Sequence, residues 1–165
     1  PHAHGQAIPA WDPRPLKATG ITYATSAMGA DHTAGLIINP GMQPQEFARA
    51  SQESQLVNAV CDSSGFCQFV RPSLDDIREF YGAFTGEDVT RQQIADQGWQ
   101  ILCDEWKFNE RAGWKPADDR LADCLVEEGI GPNHSLKFDV DAATIAAAKV
   151  RCETREELFT AHASG

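Results

Sequence analysis

The sequence predicts a mainly α-helical domain that opens with an irregular segment rich in proline and glycine. From Pro44 onward, apolar residues recur every three or four positions, and helix-capping residues precede several of these stretches. Stretches with β-strand character are short and few. The chain has 165 residues, enough for one domain with its own core, so we expect residues 1–165 to form a single helical domain.

The first 40 residues differ in composition from the rest and contain prolines that disfavour long helices, at Pro9, Pro13, Pro15 and Pro40. We predict short strands at residues 21–23 and 36–38. A long irregular segment inside a compact domain usually has a binding role.

The first predicted helix starts at Pro44, which suits a first helical turn, and ends near Val60. Its core face contains Phe47, Ala50, Ser54, Val57 and Val60. Gly65 lies just past its end.

Ser73 is predicted to cap the next helix. The residues expected on its buried side are Leu74, Ile77, Phe80, Tyr81 and Phe84.

Thr90 and Gln93 form a predicted capping box for a longer helix that stops before Gly113. The apolar positions of this helix are Ile94, Gly98, Ile101, Leu102, Trp106 and Phe108.

Three further helical segments are predicted towards the carboxyl end. A helix over residues 118–128 should bury Leu121, Cys124 and Leu125. Asp141 should cap an alanine-rich helix, and residues 154–162 should continue or restart it.

Composition and charge argue against several classes of function. The net charge of −10 repels phosphate backbones, so we expect no nucleic-acid partner. No apolar run approaches the roughly 20 residues that span a bilayer, so we expect no membrane insertion. Residues 1–15 have no apolar core of a signal peptide. The odd number of cysteines, five, then favours reduced thiols and a cytoplasmic location.

Residues 62–67, with the sequence DSSGFC, form the most informative stretch. Asp62 at the start of a loop could accept hydrogen bonds from amino groups, and Gly65 lets the backbone turn closely around a ligand. Cys67 follows a glycine turn whose exposed N–H groups favour a thiolate. The alternative is a plain turn after a helix. Cys61, directly before the stretch, is interpreted as a buried thiol.

Residues 29–35, with the sequence GADHTAG, place His32 between small residues. Its imidazole could face a cavity and transfer protons near neutral pH. The alternative is a structural histidine that bonds to Asp31 or to the backbone.

Asp12 and Arg14 lie between prolines near the start of the chain. A charge-assisted bond between them would fix the conformation of this loop, which is the role we expect.

Five stretches, in order and with similar spacing, resemble the last domain of the aldehyde:ferredoxin oxidoreductase family. Residues 9–14 resemble the family pattern P-A-x-D-P-R, and residues 23–32 resemble Y-A-T-x-x-x-G-x-x-H. Residues 62–67 resemble the pterin motif D-x-x-G-L-C, with Phe66 in place of the common Leu. The remaining two, residues 108–113 and 118–121, resemble F-N-x-x-x-G and D-D-x-L-P. The resemblance runs from about Gly5 to about Gly131.

The resemblance implies a mainly helical domain and a set of roles. Cys67 would be the fourth thiolate of a [4Fe–4S] cluster. Asp62, Gly65, Phe66 and Cys67 would contact one pterin of a tungsten or molybdenum bis-pyranopterin. His32 would exchange a proton near the metal during oxidation of an aldehyde to a carboxylic acid, with ferredoxin as the electron acceptor.

The family's upstream C-x-x-C-x-x-x-C segment and its large sheet domain have no counterpart in this sequence, and a cubane cluster needs four thiolates. We therefore expect a fragment of a longer enzyme whose remaining domains are its partners. The isolated chain is then expected to bind neither metal nor cluster and to be inactive. Residues 138–165 match the family poorly.

Two other functions stay open at this point. One is a non-catalytic helical module that binds another protein through its acidic surface. The other is a relative with altered chemistry, such as a ring reductase that acts on thioesters.

Overall fold

The structure, a computed structural model, describes residues 1–160 and confirms the mainly α-helical fold class. Its strands, β1 (His2–Ala3) and β2 (Gln6–Ala7), form one antiparallel pair. The helices are α1 (Lys17–Thr25), α2 (Phe47–Ser63), α3 (Leu74–Thr85), α4 (Arg91–Arg111), α5 (Asp123–Glu127), α6 (Ala142–Ala147) and α7 (Glu157–Thr160). Within this range, no helix is both long and apolar enough to cross a membrane.

Helix α2 is the central element, because it packs against α1, α3, α4 and α6. Its buried surface is partly polar, and these groups find partners inside the protein. The Ser51 hydroxyl lies 2.8 Å from that of Thr22, and the Gln55 amide donates to Thr25 at 3.0 Å. Since buried polar groups are costly when unpaired, these bonds fix how α2 sits on α1.

The apolar core consists of two clusters. The first lies between α2, α3 and α4 and includes Val60, Leu74, Ile77, Ile94 and Trp106. The second lies between α1, α5 and α6 and includes Ile21, Tyr23, Leu125, Phe138 and Ile145. The indole N–H of Trp106 donates to the Thr25 carbonyl at 2.8 Å and connects α4 to the end of α1.

The predicted strand at residues 21–23 is wrong, because these residues lie in α1. Residues Ala18 to Thr25 of this helix are all buried, so it has no polar face and none of the amphipathic periodicity that identifies a surface helix. Its β-branched residues suggested a strand, but burial on all sides prevailed over local propensity.

The predicted strand at residues 36–38 is also wrong. The hydroxyl of Thr19 in α1 donates to the Ile37 carbonyl at 2.9 Å and accepts from the Ile37 N–H at 2.9 Å. One buried side chain thus satisfies both backbone groups that a strand partner would have bonded.

The predicted caps are confirmed. Ser73 and Asp76 form a capping box at α3, and Thr90 and Gln93 form one at α4. The Asp141 carboxylate accepts the Thr144 N–H at 2.8 Å at the start of α6. These helix starts could be predicted from the sequence because a capping side chain bonds only N–H groups in the first turn of the helix that it caps.

The predicted buried faces were too wide. Leu74 and Ile77 of α3 are buried, whereas Phe80, Phe84 and Phe108 are exposed. The predicted helix over residues 118–128 is shorter, because a 3-10 turn (Pro116–Asp118) precedes α5. Leu121 and Leu125 are buried there as expected, whereas Cys124 is only partly buried. The predicted segment at residues 154–162 contains α7, and His162 lies outside the described residues.

Candidate functional site

Residues 62–67 run from the last turn of α2, which ends at Ser63, into the turn that terminates the helix. Asp62 lies in the last turn of the helix, which corrects the prediction that it starts a loop. The Phe66 N–H donates to the Cys61 carbonyl at 3.3 Å, and the Gly65 N–H donates to the Asp62 carbonyl at 3.1 Å. This pair of bonds is the Schellman motif, which satisfies the last carbonyls of a helix.

Gly65 is required by its backbone conformation and not by lack of space. Its φ of 75° lies in the left-handed region, and an added Cβ would meet no atom within 4 Å. Glycine adopts this conformation without steric cost. The turn therefore projects into open space on the side where a side chain would stand.

The two cysteines of this segment have opposite environments. Cys67 is exposed, whereas Cys61 is buried, as expected from the sequence. Burial raises the pKa of the Cys61 thiol, with a further contribution from the neighbouring Asp62. Its thiol points to the Phe66 carbonyl at 3.7 Å. Cys67 is therefore the accessible thiol of the pair.

His32 begins a short 3-10 turn (His32–Ala34) that Asp31 caps. The Asp31 carboxylate accepts from both the N–H and the hydroxyl of Thr33 at 2.8 Å. The His32 Nδ1 lies 3.8 Å from the same carboxylate, and its side chain is 45% exposed. The imidazole is thus available to a ligand, although it lies near Asp31.

The His32 turn and the end of α2 lie side by side. The amide of Gln68, directly after Cys67, donates to the Thr33 carbonyl at 2.8 Å and to the Asp62 carboxylate at 3.3 Å. Gly35 lies so close to α2 that an added Cβ would approach the Ser54 hydroxyl to 3.0 Å. Two segments about 30 residues apart in the sequence therefore form one surface.

This surface concentrates negative charge. Burial raises the pKa of Asp62, with Asp31 adding to the rise and the Gln68 hydrogen bond opposing it. Burial also raises the pKa of Glu105 in α4, and Asp62 adds to that rise. Glu105 was not singled out from the sequence, where it looks like any exposed helix carboxylate.

Four phenylalanines at or near this segment are named the aromatic cluster: Phe66 is partly buried against the core, whereas Phe69, Phe80 and Phe84 are exposed. Phe66 meets Phe80 edge to face at 5.1 Å, and Phe80 stacks on Phe84 at 6.4 Å. Phe69 is 93% exposed and Phe84 is 81% exposed. Exposed apolar groups of this size are typical of surfaces that contact another molecule.

Cys67 presents one exposed thiol, which is the ligand type that iron–sulfur clusters use. A cubane cluster takes four thiolates, and Cys67 could supply one of them. In residues 1–160, no group of three or more His, Cys, Asp and Glu side chains is arranged to hold a metal ion. The Asp62 carboxylate remains an acceptor for ligand amino groups.

The predicted Asp12–Arg14 pair is confirmed as a structural bond. The guanidinium donates to both carboxylate oxygens, with the shortest distance 2.6 Å, and it lowers the pKa of Asp12. Arg14 also donates to the Glu128 carbonyl at 3.1 Å, which ties the first residues of the chain to the end of α5.

Two cavities lie away from this surface. One of about 440 Å³ is lined by residues that include His4 and Trp114, and one of about 570 Å³ is lined by apolar and charged residues from 110–127 and 138–149. Neither is lined by His32 or Cys67.

Comparisons with known proteins agree with these observations. The family model described as "Aldehyde ferredoxin oxidoreductase, domains 2 & 3" matches residues 1–146. A tungsten-containing aldehyde ferredoxin oxidoreductase of Pyrococcus furiosus is 33% identical over 149 residues, which cover 79% of this chain and 25% of the relative. The enzyme of the same name from Thermococcus kodakarensis is 31% identical over 142 residues, covering 76% of this chain and 24% of the relative. This chain thus corresponds to about a quarter of the length of these curated relatives.

Proposed function

The chain belongs to the aldehyde ferredoxin oxidoreductase family, and we propose that it forms one wall of the cofactor site in a longer enzyme that oxidises aldehydes to carboxylic acids. The observation that supports this most is the contact between the His32 turn and residues 62–67. The Gln68 amide spans the two segments with bonds of 2.8 and 3.3 Å. A proton-transfer group and a cofactor-binding turn must share one surface for this chemistry.

The residues at the end of α2 would hold the cofactors, a tungsten or molybdenum bis-pyranopterin and a [4Fe–4S] cluster. The Asp62 carboxylate would accept hydrogen bonds from pterin amino groups. Gly65 leaves open space where a side chain would otherwise stand, and Phe66 would contact the pterin. The exposed Cys67 would provide one cluster thiolate. When bound, the metal and the cluster take up the two electrons that aldehyde oxidation releases.

The chain's own catalytic contribution is proton transfer by His32. Conversion of an aldehyde and water to a carboxylic acid releases two protons and two electrons. The half-exposed imidazole can accept one of these protons and pass it to solvent, since histidine side chains both take up and release protons in enzymes.

The partners we propose are the remaining domains of the parent enzyme and ferredoxin. The aromatic cluster beside Cys67 would be covered by those domains, because exposed phenylalanine rings next to a cofactor turn otherwise face water. The relatives are about four times as long as the matched segment, which leaves ample chain for this purpose.

A test uses the full-length parent protein, produced with tungstate and molybdate in parallel, and two cysteine variants. Cys67→Ser should lose cluster iron and sulfide and the paramagnetic signal of the reduced cluster. Cys124→Ser, in α5, should retain both. Equal cluster content in the two variants would contradict the role of Cys67.

A second variant separates binding from chemistry. His32→Asn should keep the metal and the cluster, because His32 is proposed to transfer protons only. Aldehyde-dependent reduction of ferredoxin should fall roughly 100- to 10,000-fold, the usual contribution of a general acid or base. A loaded parent enzyme that reduces an aromatic thioester but oxidises no aldehyde would favour the ring reductase. A full-length protein that binds no cofactor would favour the interaction module.

A further inference from the structure

We propose that Gln68 is a positioning residue that locks the His32 turn onto residues 62–67, so that it sets the place of the imidazole relative to the cofactor-binding groups. This inference rests on the function proposed above, since it assigns a mechanical role within that same site.

The side-chain amide of Gln68 is suited to this link because it offers two N–H donors. One bonds the Thr33 carbonyl at 2.8 Å, directly after His32. The other bonds the Asp62 carboxylate at 3.3 Å. Both partners are acceptors, so the orientation of the amide is determined by its neighbours.

The position of Gln68 in the chain makes the link short. It begins a 3-10 turn (Gln68–Val70) that has Cys67 as its N-terminal cap. Gln68 follows the proposed cluster ligand Cys67 directly. Its side chain bonds Thr33, next to the proposed proton-transfer group, and Asp62, the carboxylate proposed to bind the pterin.

The His32 turn also packs against α1 and α2 through the buried Ala34, but its other hydrogen bonds are local or longer. The Asp31 carboxylate accepts from Thr33 within the turn, and the Asp31 N–H donates to the nearby Gly29 carbonyl at 2.7 Å. The Asn58 amide approaches the Ala34 carbonyl at 3.5 Å, whereas its bond to the Ser54 carbonyl in its own helix is 2.9 Å. Gln68 thus makes the shortest hydrogen bond that connects this turn to the end of α2.

The imidazole depends on its backbone for placement. Among the described residues, the His32 ring makes one polar contact, between its Nδ1 and the Asp31 carboxylate at 3.8 Å. Its side chain is 45% exposed. A ring with so little packing follows the backbone that bears it. Release of the Thr33 carbonyl would therefore move the imidazole, and misplacement of a reacting group by about 1 Å can cost about 100-fold in rate.

The first experiment is amide hydrogen exchange on the 165-residue chain, which has two apolar clusters of its own. Gln68→Met keeps the shape of the side chain but removes both donors. Exchange at residues 33–35 should become roughly five- to thirty-fold faster, as expected for the loss of one or two hydrogen bonds. Gln68→Glu should have at least the same effect, because its carboxylate would face Asp62 and the Thr33 carbonyl.

The matched control is Gln92→Met. Gln92 also donates to a helix carboxylate, that of Asp96 at 2.7 Å. Gln92 lies 13 residues before Glu105, the residue of α4 that belongs to the candidate surface. The two residues are therefore about 20 Å apart along the helix axis. This variant should leave exchange at residues 33–35 unchanged. Unchanged exchange in Gln68→Met, or an increase spread equally over the whole domain, would overturn the proposal.

The second experiment uses the full-length holoenzyme. Gln68→Met should retain its metal, its iron and the signal of the reduced cluster, while kcat falls about tenfold to 100-fold and KM changes little. Wild-type kcat in a fully loaded Gln68→Met enzyme would also overturn it.

The two proposals fail in different ways. If His32→Asn leaves a loaded parent enzyme fully active, the proposed role of His32 fails, whereas hydrogen exchange still measures whether Gln68 locks the turn. If Gln68→Met leaves hydrogen exchange at residues 33–35 unchanged while His32→Asn abolishes activity, the proposed function is supported and the positioning role of Gln68 is refuted.

Discussion

Replacement of Gly65 by alanine tests the turn at the end of α2. An L-residue in the left-handed region costs about 1–2 kcal/mol, and the restricted unfolded chain of alanine returns roughly 0.4–1 kcal/mol. No atom lies within 4 Å of the added Cβ, so no steric overlap adds to this cost. The expected net loss in the free energy of unfolding is about 1 kcal/mol, which lowers Tm by roughly 2–4 °C.

Gly86 provides a matched control at the end of α3. Its φ is 77°, close to the 75° of Gly65, and an added Cβ there also finds no atom within 4 Å. Gly86→Ala should therefore lose the same free energy as Gly65→Ala. Asparagine tolerates the left-handed region better than alanine, so Gly65→Asn should lose less.

Urea unfolding followed by tryptophan fluorescence measures all three variants. In the full-length enzyme, both Gly65 variants should reduce cofactor content and Gly86→Ala should not, because only Gly65 belongs to the proposed pterin turn. A loss well above 3 kcal/mol for Gly65→Ala, or an equal loss for Gly65→Asn and Gly65→Ala, would refute the conformational reasoning. An equal effect of Gly86→Ala on cofactor content would refute the functional part.

Two further predictions concern the rest of the domain. The pKa of His4 is raised, because hydrogen bonds to Asp119 and the Ala24 carbonyl outweigh the opposing effect of burial. Its stabilising contribution is therefore complete below the ordinary value of 6.5 and is lost as the pH rises through the raised value. His4→Gln should flatten the fall of the urea midpoint above pH 6.5, and an unchanged slope would contradict this. The double variant Phe69→Ser and Phe84→Ser should change the free energy of unfolding by less than about 0.5 kcal/mol per site, since both rings are exposed, yet it should reduce self-association in sedimentation velocity. Substitution of the exposed Val150 by serine is the control, and equal association of both proteins would contradict an adhesive role for the aromatic cluster.

Short stretches of sequence predict where several helices of this protein begin. Ser73, Thr90 and Asp141 each cap the helix predicted for them, because a capping side chain bonds N–H groups only two or three residues away. The candidate site residues could also be predicted from the sequence, because residues 29–35 and 62–67 contain residues that match family motifs.

The errors arose where distant parts of the chain decide the outcome. Helix α1 has buried residues on every side, so its sequence shows no polar face. Phe80 and Phe84 follow the spacing of a core face and yet lie exposed, because α3 buries only its first turns, around Leu74 and Ile77. A repeat of apolar residues defines a face of a helix, but only the neighbouring elements determine whether that face is covered.

The sequence by itself therefore determined the helical class, most helix starts and the identities of the candidate residues, since each depends on interactions within a few positions. The tertiary structure alone decided that His32 and Asp62 lie on one surface, that Gln68 joins their segments and that Phe69, Phe80 and Phe84 are exposed. The first two facts depend on contacts between residues about 30 positions apart, such as the Gln68–Thr33 hydrogen bond. Such contacts follow from how the helices pack, and no local sequence pattern indicates them.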